Sequence, residues 1–142
     1  TTLKRLGYKL VLVSGGFHYF ADFLKEKLGL DRAFANQLEI KNGTLTGKVV
    51  GKVVDNTYKA KIVNMVSGEE GVLLDQTVAI GDGANDVLML GQAGLGIAYN
   101  AKEKLARAAN MSLGRARLKN ILYILGISDE EMGSSSLCNS PV

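Results

Sequence analysis

The chain of 142 residues holds one cysteine, Cys138, in a Ser-rich stretch near its end. A lone cysteine can close no disulfide within the chain, which fits a reducing compartment, and the cytoplasm is the expected location. No apolar run approaches the roughly 18 residues of a membrane-crossing helix. The N-terminal residues do not read as a basic stretch followed by an apolar one either, so no membrane partner is expected. Neither sign of charge dominates: 17 Lys and Arg stand against 14 Asp and Glu, a net charge of +3. The densest basic group, Arg107 to Lys119, lacks the interleaved aromatics common on nucleic-acid surfaces. It reads as a solvated face, and no nucleic-acid partner is expected. No internal repeat is visible. What is present is a hydrophobic content of 46%, the composition of a globular chain long enough for one core.

The first residues do not read as a beginning. No Met opens the chain, and Thr1-Thr2-Leu3-Lys4-Arg5-Leu6-Gly7 has the look of the last turns of an amphipathic helix closed by a glycine. The expectation is that the sequence opens in the middle of a unit.

Apolar periodicity then alternates between strand and helix. Lys9 to Ser14 is a β-branched apolar run ended by glycines, a strand followed by a turn. Phe17, Phe20, Ala21, Leu24 and Leu28 recur at helical spacing, closed at Gly29. Phe34 to Ile40 and Leu45 to Val54 flank Asn42-Gly43, a strong hairpin signal. Asp55 or Asn56 would cap a helix running to about Val66. A strand over Thr77–Ile80, a helix over Ala84–Ala93, a strand over Leu95–Tyr99, a helix over Ala101–Ala109 and a last helix over Leu118–Leu125 complete the pattern. The class is α/β with a mainly parallel sheet. From Gly133 the composition turns to Ser, Asn and Pro and disorder is expected. The folded unit is assigned to 1–126 and a disordered tail to 127–142.

Three groups of polar residues fall at strand ends or helix starts. Gly81-Asp82-Gly83-Ala84-Asn85-Asp86 joins the Thr77–Ile80 strand to the next helix, at the sheet edge where open α/β sheets bind ligands. Asp82 and Asp86 offer oxygen ligands to a hard cation such as Mg²⁺. The glycines let backbone N–H groups approach an anion, and Asn85 could bond a phosphate oxygen. The plainer alternative is a polar turn closed by an Asp cap. Ser14-Gly15-Gly16 places a hydroxyl beside glycine amides at a helix start, where an anion is favoured; the alternative is a simple helix cap. Lys59 lies in the first turn of the Asp55-capped helix, where the helix dipole disfavours a cation. That placement suggests an anionic partner, with Lys61 as rival and a solvated lysine as the alternative. Hydroxyl, lysine, carboxylates and a cation at one edge would make a phosphoryl-transfer site. A nucleophile with a general acid is missing from the set.

Val13-Ser14-Gly15-Gly16-Phe17, a lysine 23 positions before Asp82, and Gly81 to Asp86 together resemble the haloacid dehalogenase superfamily of phosphatases. Phe34 to Ile40, Gly43 to Gly47 and Ala93 to Tyr99 are similar to its phosphoserine phosphatase family in particular. The likeness runs from about Leu3 to Lys104 and more weakly to Gly126. It implies a Rossmann-like core with helices on both faces of the sheet. It also implies Mg²⁺-dependent hydrolysis of O-phosphoserine through a phosphoaspartyl intermediate, the last step of serine biosynthesis. On the resemblance Ser14 and Gly15 bind the phosphoryl group, Lys59 rather than Lys61 neutralises its charge, and Asn85 contacts phosphate. Asp82 ligates Mg²⁺ and Asp86 supports it; Lys59 and Asp82 are the catalytic residues. His18 is expected as a partly exposed helix residue, not a ligand.

The family's nucleophile stands in an Asp-x-Asp motif on a central strand, and a helical cap recognises the serine. This sequence has no Asp-x-Asp, so the strand and cap would lie before Thr1 and the chain alone is expected to be inactive. The alternatives are a phosphate- or partner-binding remnant of the fold without turnover, and a related phosphotransferase acting on another small phosphomonoester. In the superfamily the nucleophile's strand lies between those of Val11–Val13 and Val78–Ile80. Without it these two strands either close up and pair or leave a gap. Both outcomes predict low stability and self-association through unpaired edges.

Overall fold

The computed structural model describes residues 2–115 and 117–133. A short helix α1 (Thr2–Arg5) leads into strand β1 (Val11–Phe17), helix α2 (His18–Leu28), strands β2 (Arg32–Lys41) and β3 (Thr44–Val50), and helix α3 (Asn56–Glu70). Strand β4 (Val78–Gly81), helix α4 (Val87–Gln92), strand β5 (Leu95–Tyr99), helix α5 (Glu103–Ala108), strand β6 (Met111–Leu113) and helix α6 (Ile121–Ile124) follow. The α/β order is the one the periodicity predicts. Asn42 and Gly43 both take positive φ, 51° and 76°, the turn that matches the twist of the hairpin strands β2 and β3.

Several boundaries differ from expectation. The strand read from Leu45 to Val54 stops at Val50. Helix α3 runs past Val66 to Glu70: it continues through Gly68 and ends only where Gly71 takes the left-handed conformation, φ 67°. β6 went unforeseen: it is three residues long and too short to show a period. The tail expected over 127–142 falls partly among described residues. Ile127 is buried, and Ser128 is bonded through its amide and hydroxyl to Glu131, so the packed chain continues beyond 126. Residues 134–142, with Cys138, lie outside the described residues.

The strands form two separate three-stranded sheets, β1-β2-β3 and β4-β5-β6. β1–β2, β4–β5 and β5–β6 pair parallel and β2–β3 antiparallel. β1 and β4 are not hydrogen-bonded to each other, so of the two outcomes predicted for these strands the open gap is the one that forms. Ile80, in the middle of β4, is 41% exposed, an unusual state for a parallel strand. The core gathers beside the second sheet, where Ala79, Met89, Leu90, Ala93, Ala98 and Leu105 pack together with Val13 of β1 and Val63 of α3 against them. By contrast α2 buries only Ala21, and its Tyr19, Phe20 and Phe23 are exposed.

The first sheet is tied to α1 through Asp31. Its carboxylate accepts the Leu10 N–H at 2.8 Å and lies 3.1 Å from Lys4 Nζ. The Leu10 amide first, and Lys4 after it, hold the Asp31 carboxyl below its ordinary value. A depressed folded-state value means stabilisation that is present above the unfolded-state value and lost as pH falls through the folded one. Asp31→Asn is therefore expected to lower the urea midpoint at neutral pH, with the deficit shrinking below about pH 4. Equal deficits across that range would show that the charge contributes nothing.

Candidate functional site

The facing edges of β1 and β4 enclose a cavity of about 610 Å³, lined by Ser14, Gly15, Gly16, Lys59, Gly81, Asp82, Asn85 and Asp86 together with apolar Val13, Ile80 and Met89 and with Tyr99. Residues far apart in sequence meet there because both strands run toward the same rim. On β1 the pairing with β2 passes from Val13↔Phe34 to Phe17↔Asn36. Three residues of β1 thus oppose one of β2, and Ser14, Gly15 and Gly16 bulge toward the cavity. The strand continues through the glycines to Phe17, where the sequence predicted a turn. Ser14 Oγ accepts the Gly16 N–H at 3.0 Å, which leaves the hydroxyl proton to donate elsewhere. His18 opens α2, half-buried, with Nδ1 3.3 Å from the Asp22 carboxylate.

Helix α3 is capped by Asp55, whose carboxylate accepts the Tyr58 N–H at 2.7 Å. Lys59 in the first turn is 5% exposed, while Lys61 points to solvent. The anionic partner that offsets the unfavourable dipole is Asp86: Lys59 Nζ lies 2.7 Å from Asp86 Oδ1. Asp86 is equally buried, and its Oδ2 accepts the N–H groups of Asp82 and Gly83, each at 3.1 Å. The single turn Ala84–Asp86 folds this carboxylate back beneath the loop. The fold-back requires glycine at 81, where a Cβ would stand 2.5 Å from Asp86 Cβ.

The structure therefore brings every sequence-predicted site residue, Ser14, Gly15, Lys59, Asp82, Asn85 and Asp86, to one rim, and it gives the two carboxylates different surroundings. Both oxygens of Asp86 are engaged within the chain, so it organises the loop and the lysine. The Asp82 carboxylate and the Asn85 amide are exposed and have no partner among the described residues. Among those residues no group of three or more His, Cys, Asp or Glu side chains converges. One free carboxylate with a second behind it is a hard-oxygen set. It suits Mg²⁺, which keeps several waters and takes one or two carboxylates plus phosphate oxygens. Sequence reasoning missed Asn36, which is buried and bonded to both Gly15 and Val54, and the lining residues Met89 and Tyr99. Two polar residues in a row, Asn36-Gln37, inside a strand are the available signal, and burial separates them: Asn36 is buried and Gln37 exposed.

The Lys59–Asp86 pair is out of water, so losing one partner leaves a buried charge. Lys59→Met is expected to destabilise the chain by about 3 kcal/mol in urea unfolding. Adding Asp86→Asn should recover part of that loss; a double variant less stable than the single would show that the carboxylate is not stranded.

The comparisons with known proteins agree with this geometry. The family description "haloacid dehalogenase-like hydrolase" matches residues 2–91. A phosphoserine phosphatase of Archaeoglobus fulgidus is 50% identical over 91% of this chain and 38% of its own length. One of Streptomyces coelicolor is 53% identical over 92% of this chain and 32% of its own. The unliganded crystal structure of a probable phosphoserine phosphatase from Vibrio cholerae superposes with a TM-score of 0.85 at 43% identity, covering 94% of this chain and 42% of that one. The chain thus spans about a third to two fifths of the length of these relatives. With its matched residues carrying both the bulge at Ser14 and the Asp82 loop, the chain belongs to the haloacid dehalogenase-like hydrolases.

Proposed function

We propose that this chain is the phosphoryl- and cation-holding part of a cytoplasmic, Mg²⁺-dependent phosphoserine phosphatase. The observation that carries the proposal is the convergence of Ser14, Gly15, Lys59, Asp82, Asn85 and Asp86 on one cavity between two unpaired strand edges. The names of the relatives supply the substrate, O-phosphoserine.

In this reading the Ser14 hydroxyl and the Gly15 N–H bind phosphoryl oxygens. Lys59, one of whose protons is committed to Asp86, directs its other donors at the same group and offsets the charge that develops on it. Asn85 donates its amide to a phosphate oxygen. Asp82 would hold Mg²⁺, with Asp86 behind it, and the cation would neutralise phosphoryl charge at that rim. The cation is needed on charge grounds alone, because one ammonium faces two carboxylates and the rim repels a phosphate dianion. Hydrolysis also requires a nucleophilic aspartate and an acid for the leaving serine oxygen, and the chain has no Asp-x-Asp. A parallel strand seated between β1 and β4 would satisfy both open edges and place such groups beside Lys59. That absence also favours a second reading, in which the chain binds phosphate or a phosphorylated partner without turnover. A different small phosphomonoester as substrate remains an outcome of the same assays.

The chain alone with Mg²⁺ should release no serine from O-phosphoserine; turnover above an Asp82→Asn control would overturn the assignment of a missing nucleophile. Joined to the N-terminal segment of a longer relative it should become active, and Lys59→Ala should then remove the activity. Persistent inactivity of a folded fusion would favour the binding reading.

Titration with inorganic phosphate should show tighter binding with Mg²⁺ than without. Asp82→Asn should remove the Mg²⁺ effect while strengthening the Mg²⁺-free binding, since it removes a repelling charge. Equal phosphate binding by wild type and Lys59→Ala would count against the anion site. The open strand edges and the exposed face of α2 should also make the isolated chain self-associate. A strictly monomeric species with a steep urea transition in sedimentation and unfolding runs would refute that.

A further inference from the structure

We infer that Asn36 is a positioning residue for this site: its side-chain amide sets the spacing between the Ser14–Gly16 bulge and the Lys59 ammonium. The inference rests on the phosphate-binding reading above. Asn36 stands where β2 changes partners, paired with Phe17 of β1 while its neighbour Gln37 pairs with Val50 of β3. It is 7% exposed and does not line the cavity, so it can act only through other residues. Its Nδ2 donates to the Gly15 carbonyl at 2.8 Å, and its Oδ1 accepts the Val54 N–H at 2.8 Å.

These two bonds reach the two arms of the site. Gly15 is the middle of the bulge, and two successive glycines there have wide backbone freedom that a bond to the Gly15 carbonyl restricts. Val54 directly precedes Asp55, the residue that caps α3, and Lys59 lies one turn into that helix. The hairpin of β2 and β3 separates β1 from α3 along the chain, but the two meet in space: a Cβ on Gly15 would stand 3.7 Å from the Val54 carbonyl oxygen. An asparagine presents a donor and an acceptor on separate atoms at one side-chain end, which bridging a carbonyl to an N–H requires. A carboxylate of the same shape keeps the bond to Val54 and sets an acceptor against the Gly15 carbonyl.

The test compares wild type, Asn36→Asp and a control, Ile127→Val, which trims a buried side chain outside the cavity. Without ligand, NMR should show the amides of Ser14 to Gly16 and the Lys59 side-chain ammonium moving together in Asn36→Asp, while Val54 stays protected from hydrogen exchange. The control should move neither arm. Affinity for inorganic phosphate with Mg²⁺ should fall about fivefold or more in Asn36→Asp and hold in the control. Movement of the bulge alone, with Lys59 and phosphate affinity unchanged, would overturn the inference. An equal loss of affinity in the control would do so too. If Asn36→Asp fails to fold, Asn36→Gln, which keeps both groups one methylene farther out, should shift both arms together and is judged by the same outcomes. Failure of wild type to bind phosphate would defeat the phosphate-binding reading, and the ligand-free shifts would still decide whether Asn36 couples the arms.

Discussion

The ion pair between Lys59 and Asp86 is the contact on which the site depends. Lys59 belongs to the helix that follows the first sheet, and Asp86 to the loop that follows the first strand of the second. A buried ammonium and carboxylate 2.7 Å apart bind strongly only with good geometry and satisfied remaining groups. Asp86 meets that condition by accepting two backbone amides with its other oxygen. One carboxylate therefore fixes a lysine across a sheet boundary and folds the loop that exposes Asp82.

The second constraint is the gap between β1 and β4. Each strand is paired on one side only, and the functional groups hang over the space between them. Packing still joins the halves: Val13 of β1 and Val63 of α3 lie against the core built on the second sheet. The rim is thus held in place by side chains and by the α3–α4 side of the molecule, with no continuous hydrogen-bonded sheet beneath it. Polar groups on both edges face a cavity of about 610 Å³.

Much of this was legible in the residues. The Asn42-Gly43 turn, the strand Leu95–Tyr99 and the helix launched by Asp55 follow from local rules of turn, period and cap. They need no knowledge of distant neighbours. The bulge at Ser14 to Gly16 reads as a turn in the sequence, because only its register against Phe34 and Asn36 shows that the strand resumes. β6 was missed because three residues carry no measurable period. Asn36 does not stand out in the sequence, because Asn36-Gln37 is an ordinary polar pair in a strand and the bonds that distinguish Asn36 reach residues 21 and 18 positions away.

The sequence by itself determined the order of strands and helices as far as α5, the residue types gathered at the rim, and the want of an Asp-x-Asp motif. These are properties of residue type, spacing and short-range preference. Helix geometry alone left Lys59 and Lys61 as rivals, and the family resemblance chose Lys59 by its spacing to Asp82; the tertiary structure supplies the physical reason, because it buries the face of α3 that carries Lys59 and leaves Lys61 exposed. It also decided that Asp86 turns inward while Asp82 stays free. Residue type and spacing do not show which of two carboxylates four residues apart is buried; a lysine from another element, with two amides at hydrogen-bonding distance, holds Asp86 inside.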